Sequence, residues 1–266
     1  MKNVITVWKE LLANRERIFR LARYEQRAKN SGTILGRLWE FLTPVLQICV
    51  YWFVFSVGLK TETRNGFPYA IWLMCGMMPW LAMNASSVNA ANAIQANAHV
   101  LKNVSIPVTI MPMKAIVRAY YEHLWTMGIL VVTLLCTGAW PTLHWLELAY
   151  YLLASWMFLT GFGLITSSLS AVWRDFFEFL NPIMRLLFYI SSVVWPLESL
   201  PENLQVIMFL NPFAYIVEGY RRCLLYGEGF WAGWQQGLYF WGLTAGLLIL
   251  GSMLHMRLRK RFIDQL

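Results

Sequence analysis

The sequence predicts an all-α, polytopic membrane protein with six spanning helices, on three observations. Only 14% of its 266 residues are charged, whereas 58% are hydrophobic. Soluble domains carry about 25% charged residues, because a fold of this size must cover its surface with charge. The charges also cluster, leaving uncharged stretches close to the ~20 residues that cross a ~30 Å hydrocarbon core at 1.5 Å per residue. Finally, those stretches do not alternate in ~10-residue pieces as barrel strands do, so helix is the way to pair every backbone group in lipid.

Taken in chain order, residues 1–30 predict an interfacial amphipathic helix. Val4, Ile5, Trp8, Leu11, Leu12, Ile18, Phe19 and Ala22 recur at helical spacing, while Lys9, Arg15, Arg17, Arg20, Arg23 and Arg27 take other positions. Such a helix suits the headgroup plane; the alternative is an ordinary solvated basic helix. The stretch is mixed and basic and does not have the pattern of a secretory signal. The first span is expected over 38–59, with Glu40 near one end, followed by a polar loop with Lys60, Glu62 and Arg64. The second covers 69–93. Its far half carries Asn84, Ser87, Asn89, Asn92 and Gln95, suited to close helix packing or, alternatively, to an aqueous or sugar-lined route. The third covers 113–136, approached by Lys114 and Arg118, and the fourth 145–172. The fifth is expected to begin near Pro182 and to be cut short by Trp195-Pro196; the last covers 234–256.

Orientation follows from Lys and Arg. With six spans, eighteen of them fall on the side of the two termini and four on the other. The positive-inside rule then places both termini in the cytoplasm. Residues 196–233 fall outside, with two apolar stretches too short or too polar to span, broken at Asn211-Pro212. They predict a re-entrant helical hairpin in the outer leaflet. A seventh span would move the terminal Arg/Lys cluster outside and weaken the charge bias. The whole chain, 1–266, is a single transmembrane domain.

Catalytic and metal patterns are missing from the sequence. There is no GxxxxGK[ST] phosphate loop and no HExxH. His99, His123, His144 and His255 are scattered, and Cys49, Cys75, Cys136 and Cys223 form no CxxC or metal spacing. Glu122-His123 is an adjacent acid–base pair inside the third span, but neighbouring helix residues point ~100° apart. An interhelical polar contact suits each better than a shared catalytic site. The net charge of +8 is accounted for by membrane sidedness, so nucleic acid is not an expected partner.

A set of residues in order adds a resemblance over nearly the whole chain. It comprises Ser31, Leu35, Gly36, Trp39 and Pro44 before and in the first span, then Asn97, Leu101, Ile106-Pro107 and Pro112 after the second. Arg174-Asp175 follows the fourth. Trp195-Pro196, Leu200-Pro201, Leu210-Asn211-Pro212-Phe213 and Glu218-x-x-Arg221 complete it. The set resembles the permease subunits of type-2 ATP-binding-cassette exporters, and among them the polysaccharide and teichoic acid branch. The resemblance implies a permease without catalytic residues of its own. It would pair with a second copy of itself and with two separate nucleotide-binding ATPase subunits that hold the ATP and Mg, a translocase of the teichoic-acid-transporting ATPase class. It would pass an undecaprenyl-pyrophosphate-linked polymer across the cytoplasmic membrane of a bacterium. Wall teichoic acid is the expected polymer, with O-antigen or capsular polysaccharide as the alternative. A membrane enzyme acting on lipid-linked sugars would need clustered acids or histidines at a membrane edge. A secondary transporter would show paired broken helices in two halves.

The resemblance also assigns expected roles. Residues 97–107, with Asn97, His99, Leu101, Lys102, Ile106 and Pro107, would form the coupling helix that docks on the ATPase; the alternative is a plain loop. Arg23, Arg27, Lys29 and Arg37 would contact the substrate pyrophosphate, because arginine forks suit phosphate; anchoring to anionic membrane lipids is the alternative reading of the same charges. Pro196, Asn211, Pro212, Glu218 and Arg221 would shape the exit hairpin. Glu218 and Arg221, at i and i+3, are placed to pair.

Overall fold

The structure, a computed structural model, describes residues 2–29, 32–58, 63–64, 66–138, 140–173, 175–196 and 201–265. Ser31, Lys60, Glu62, Arg174 and Leu200, singled out in the sequence, lie outside these residues, as do the side chains of Arg37, Glu40 and Arg64.

The chain forms an all-α bundle. Helices α1 (Lys2–Ala13) and α2 (Arg15–Lys29) precede α3 (Trp39–Trp52), which continues as a π-helical turn over Phe53–Gly58. A two-residue ladder pairs β1 (Thr63–Arg64) with β2 (Phe67–Pro68) in antiparallel register. Then come α4 (Tyr69–Ala96), α5 (Ala98–Asn103), α6 (Ile110–Cys136), α7 (Leu148–Val172) and α8 (Asp175–Ile190). A hairpin of α9 (Glu202–Leu210) and α10 (Pro212–Arg221) leads to α11 (Trp234–Gln265).

Three helical stretches are long and apolar enough to cross a membrane among the described residues: Ile110–Cys136, Leu143–Val172 and Phe230–Arg259. Helix α4 is the longest of the others, but the amide-rich end from Asn84 to Gln95 lowers its hydropathy. Its 28 residues rise ~42 Å, more than a hydrocarbon core. Helix α3 with its π turn and α8 occupy the remaining expected positions.

Helix α4 is the axis of the core. It packs on α6 and α7, and α11 packs on α7. The polar half of α4 serves close packing: Ser86, Ser87, Ala90 and Ala91 are buried against these neighbours. Helices α7 and α11 cross at backbone distance. A Cβ on Gly161 would sit 2.8 Å from the Leu248 nitrogen, and one on Gly251 2.7 Å from the Gly161 carbonyl oxygen. Small residues let membrane helices approach this closely. The hydroxyls buried on α7 return to their own helix: Thr160, Thr166 and Ser168 donate to carbonyls three or four residues back.

Two sequence boundaries change. Helix α8 begins at Asp175, about two turns before Pro182, which lies inside the helix. Proline is a good helix opener, but in a packed membrane helix neighbours absorb the freed carbonyl. Asp175 and Glu178 instead place acid at the positive N-terminal end of the helix dipole. The predicted N-terminal helix is a pair broken at Asn14, and its apolar residues divide between two environments. Val7, Leu11, Ile18 and Ala22 are buried against Ile110, Met113, Val117 and Leu164, while Ile5, Leu12 and Phe19 are exposed.

Candidate functional site

Helix α5 is a short helix held at both ends of its connection. Asn97 closes α4: its side-chain amide donates to the Ala93 carbonyl (2.8 Å), and its Oδ1 accepts from Lys114 Nζ at 2.8 Å. At the other end the Pro107 carbonyl accepts from the Ile110 amide (3.0 Å), which opens α6. Leu101 and Ile106 turn inward and pack on a buried group that includes Ile94, Val108, Met111 and Ala171. His99, Val100, Lys102, Asn103 and Val104 face outward and are exposed. The Asn103 amide donates to the His99 carbonyl (2.9 Å), holding the turn. Of the stretch 97–107, only Ala98–Asn103 is α-helical; Ile106 and Pro107 act as its apolar anchor.

Lys114 connects this helix to the N-terminal helices. It is 5% exposed, so its charge needs a partner nearby. Besides Asn97 it pairs with Glu25 on α2. The second Glu25 oxygen lies 3.7 Å from Arg118. One turn further along α2, Lys29 pairs with Glu122 at 2.7 Å. Glu25 and Lys29 are thus i and i+4 on α2, and they meet Lys114, Arg118 and Glu122 at i, i+4 and i+8 on α6. Residues at this spacing share a helix face, so the two helices interlock along a charged seam. At the start of the pair, Glu10 accepts from Thr109 (2.8 Å) and pairs with Arg259 of α11 at 2.6 Å.

Of the four cations expected to meet pyrophosphate, Arg23, Arg27 and Lys29 lie on α2, and the Arg37 side chain falls outside the described residues. Lys29 is committed to Glu122. Arg23 and Arg27 are exposed on α2 and form no ion pair among the described residues. Glu122 and His123 take different partners: Glu122 pairs with Lys29 on α2, and the His123 Nε2 lies 2.8 Å from the Tyr220 hydroxyl on α10.

At the opposite end of α4, the hairpin is locked by Asn211 and Arg221. Asn211 donates to the Ile190 carbonyl (3.1 Å) and the Ser191 hydroxyl (2.8 Å), and its Oδ1 caps α10 by accepting from the Phe213 amide (3.0 Å), with Pro212 in the first turn. Arg221 pairs with Glu218 at 2.8 Å and is fully buried. Its guanidinium lies 3.4 Å from the centre of the Trp72 ring and donates to the carbonyls of Ser192 (2.5 Å), Val193 (2.8 Å) and Trp72 (3.3 Å). Ser192 adopts φ +58°, uncommon for a residue with a side chain, and the bonds from Arg221 and to Glu218 hold it there. Pro196 lies just beyond this turn, at the edge of the described residues.

Sequence reasoning missed Glu25 and Glu10. The signal was present: Lys114 stands in an apolar run, where a cation needs a counter-ion, and both acids lie on the amphipathic segment.

With this geometry in place, the comparisons with known proteins are informative. The model of the ABC-2 type transporter family matches residues 16–225. The O-antigen export system permease protein RfbA of Klebsiella pneumoniae is 25% identical over 239 residues, 90% of each chain. The polysialic acid transport protein KpsM of Escherichia coli is 23% identical over 200 residues, 73% of this chain and 75% of its own. The capsule polysaccharide export inner-membrane protein CtrC of Neisseria meningitidis is 25% identical over 205 residues, 70% of this chain and 71% of its own. On a match that spans most of its length and the bundle described above, this chain belongs to the ABC-2 type transporter family.

Proposed function

We propose that this chain is the transmembrane permease subunit of an ATP-driven exporter that moves a lipid-linked cell-surface polysaccharide of the O-antigen or capsular class across the cytoplasmic membrane. The observation that carries the reading is the similarity to O-antigen export permeases over nine-tenths of the chain. The named relatives set O-antigen and capsule ahead of the wall teichoic acid expected from the sequence.

The working assembly is two copies of this chain with two nucleotide-binding ATPase subunits that hold ATP and Mg. Both termini and α5 face the cytoplasm, on the side rich in Lys and Arg. The ATPase docks on the outward face of α5, at His99, Val100, Lys102 and Asn103. Movement of α5 reaches α6 through Asn97 and Lys114, and α2 through Glu25. The polymer, carried on undecaprenyl pyrophosphate, enters beside α2 and leaves past the α9–α10 hairpin. Arg23 and Arg27 lie free on α2 to meet phosphate, whether of substrate or of lipid.

Deletion of the gene in the organism that makes this chain tests the reading. Surface polysaccharide is expected to disappear, with polymer retained inside the cell, and a plasmid copy restores it. Unchanged surface polysaccharide contradicts the reading. Composition of the retained polymer, sugar repeat against polyol phosphate, decides between polysaccharide and teichoic acid.

A further inference from the structure

Between α3, α4 and α6 lies a cavity of about 240 Å³. Lys29 and Trp39 stand among its lining residues with Gln47, Asn84, Glu122 and His123. It opens beside Trp39 and Lys29 and lies far along the bundle axis: Asn84 is 12 residues from the end of α4, or ~18 Å. Three polar groups here are not used in holding the fold together. Gln47 and Asn84 make no hydrogen bond among the described residues. His123 is 3% exposed, and with its Nε2 at Tyr220 its Nδ1 has no partner. Unpaired amides and imidazoles at membrane depth are costly, so their retention calls for a polar occupant.

The chemistry of the lining selects the occupant. Each amide offers a donor and an acceptor, the imidazole nitrogen offers one or the other, and Glu122 accepts. Such a mixed set matches hydroxyl groups, which both donate and accept. It does not match phosphate, because Lys29 is already neutralised by Glu122 at 2.7 Å. An acyl chain would leave the two amides and the imidazole nitrogen unpaired. Trp39, 39% exposed, supplies a flat apolar surface for the C–H face of a sugar ring. The volume is below the ~300–1,000 Å³ of sites for drug-sized ligands and suits a single ring.

We propose that this cavity binds one pyranose ring of the transported chain, stacked on Trp39 and hydrogen-bonded by Gln47, Asn84 and His123. The proposal deepens the exporter reading and rests on it. The Lys29–Glu122 pair sits at the end of the charged seam that begins at Asn97 and Lys114. Movement of α5 therefore reaches the one ion pair that flanks the sugar site, which ties occupancy to the motor.

The test is photo-cross-linking in cells that make the polymer, with Trp39→p-benzoylphenylalanine as the probe and Leu81→p-benzoylphenylalanine on the cavity wall as a second position. The expected product is a high-mass adduct that stains for carbohydrate and vanishes when polymer synthesis is blocked. Adding Gln47→Leu and Asn84→Leu lowers its yield by roughly tenfold, the size set by two lost hydrogen bonds. Adducts with phospholipid alone, no adduct at either position, or a yield indifferent to Gln47 and Asn84 overturns the proposal. Surface polysaccharide measured in the deletion strain separates the two claims. If it depends on this chain and no carbohydrate adduct forms, the sugar site falls while the exporter reading stands.

Discussion

Arg221 shows how much one side chain can hold in a low-dielectric interior. Its guanidinium joins Trp72 on α4, the turn at Ser192–Val193 and Glu218 on its own helix. Arg221→Ala leaves Glu218 and three carbonyls short of a donor, a change that costs about 3–5 kcal/mol in buried pairs. The expected outcome is a chain that loses its folded, monodisperse form in detergent, read by thermal unfolding. Arg221→Lys keeps the charge but not the planar fork, so it rescues only in part. The i, i+3 spacing of Glu218 and Arg221 was legible in the sequence. Trp72 and Ser192, 149 and 29 residues away in the chain, were not, because no local pattern encodes such a contact. Lys114 makes the same point at the other end. Lys114→Met leaves Glu25 with Arg118 alone and Asn97 Oδ1 without its donor, and the double reversal Glu25→Lys with Lys114→Glu recovers part of the lost stability. A double-mutant cycle on thermal midpoints measures the coupling; strict additivity of the two single changes would contradict the pairing.

At the scale of elements, hydropathy located α6, α7 and the start of α11 to within a few residues, since lipid fixes their length and composition; α11 runs on to Gln265, past the expected end at 256. It was less informative where protein replaces lipid. Helix α8 starts before Pro182 because packing outweighs a local proline rule. The N-terminal segment splits its apolar residues between the bundle and the outside, a division that periodicity alone does not reveal. The α7–α11 crossing is another feature set by tertiary contact, with Gly161 and Gly251 facing each other across it. Gly161→Leu forces the helices apart and is expected to cost about 1–3 kcal/mol, as overpacking does. Gly128, which has nothing within 4 Å of its Cβ position, provides a control: Gly128→Leu does not lower the thermal midpoint. Equal effects at the two positions would contradict the close crossing.

For the whole molecule, the architecture follows from one constraint: backbone in lipid must be paired within helices. Ordered motifs then narrowed the family, and the match over residues 16–225 establishes it. The short connection between α4 and α6 was legible as a position, Asn97 to Pro107, but its wiring was not. Charges on α2 and α6 join only when both helices are in place. The central claim is that α5 is where an ATP-hydrolysing subunit grips this chain. Photo-cross-linking from Val100→p-benzoylphenylalanine, on the exposed face of α5, tests it most directly. The account predicts a covalent adduct with an ATP-binding subunit in isolated membranes, strengthened or weakened by nucleotide. Contradiction would be a position 100 that forms no such adduct and is instead labelled by a membrane-impermeant reagent from outside intact cells.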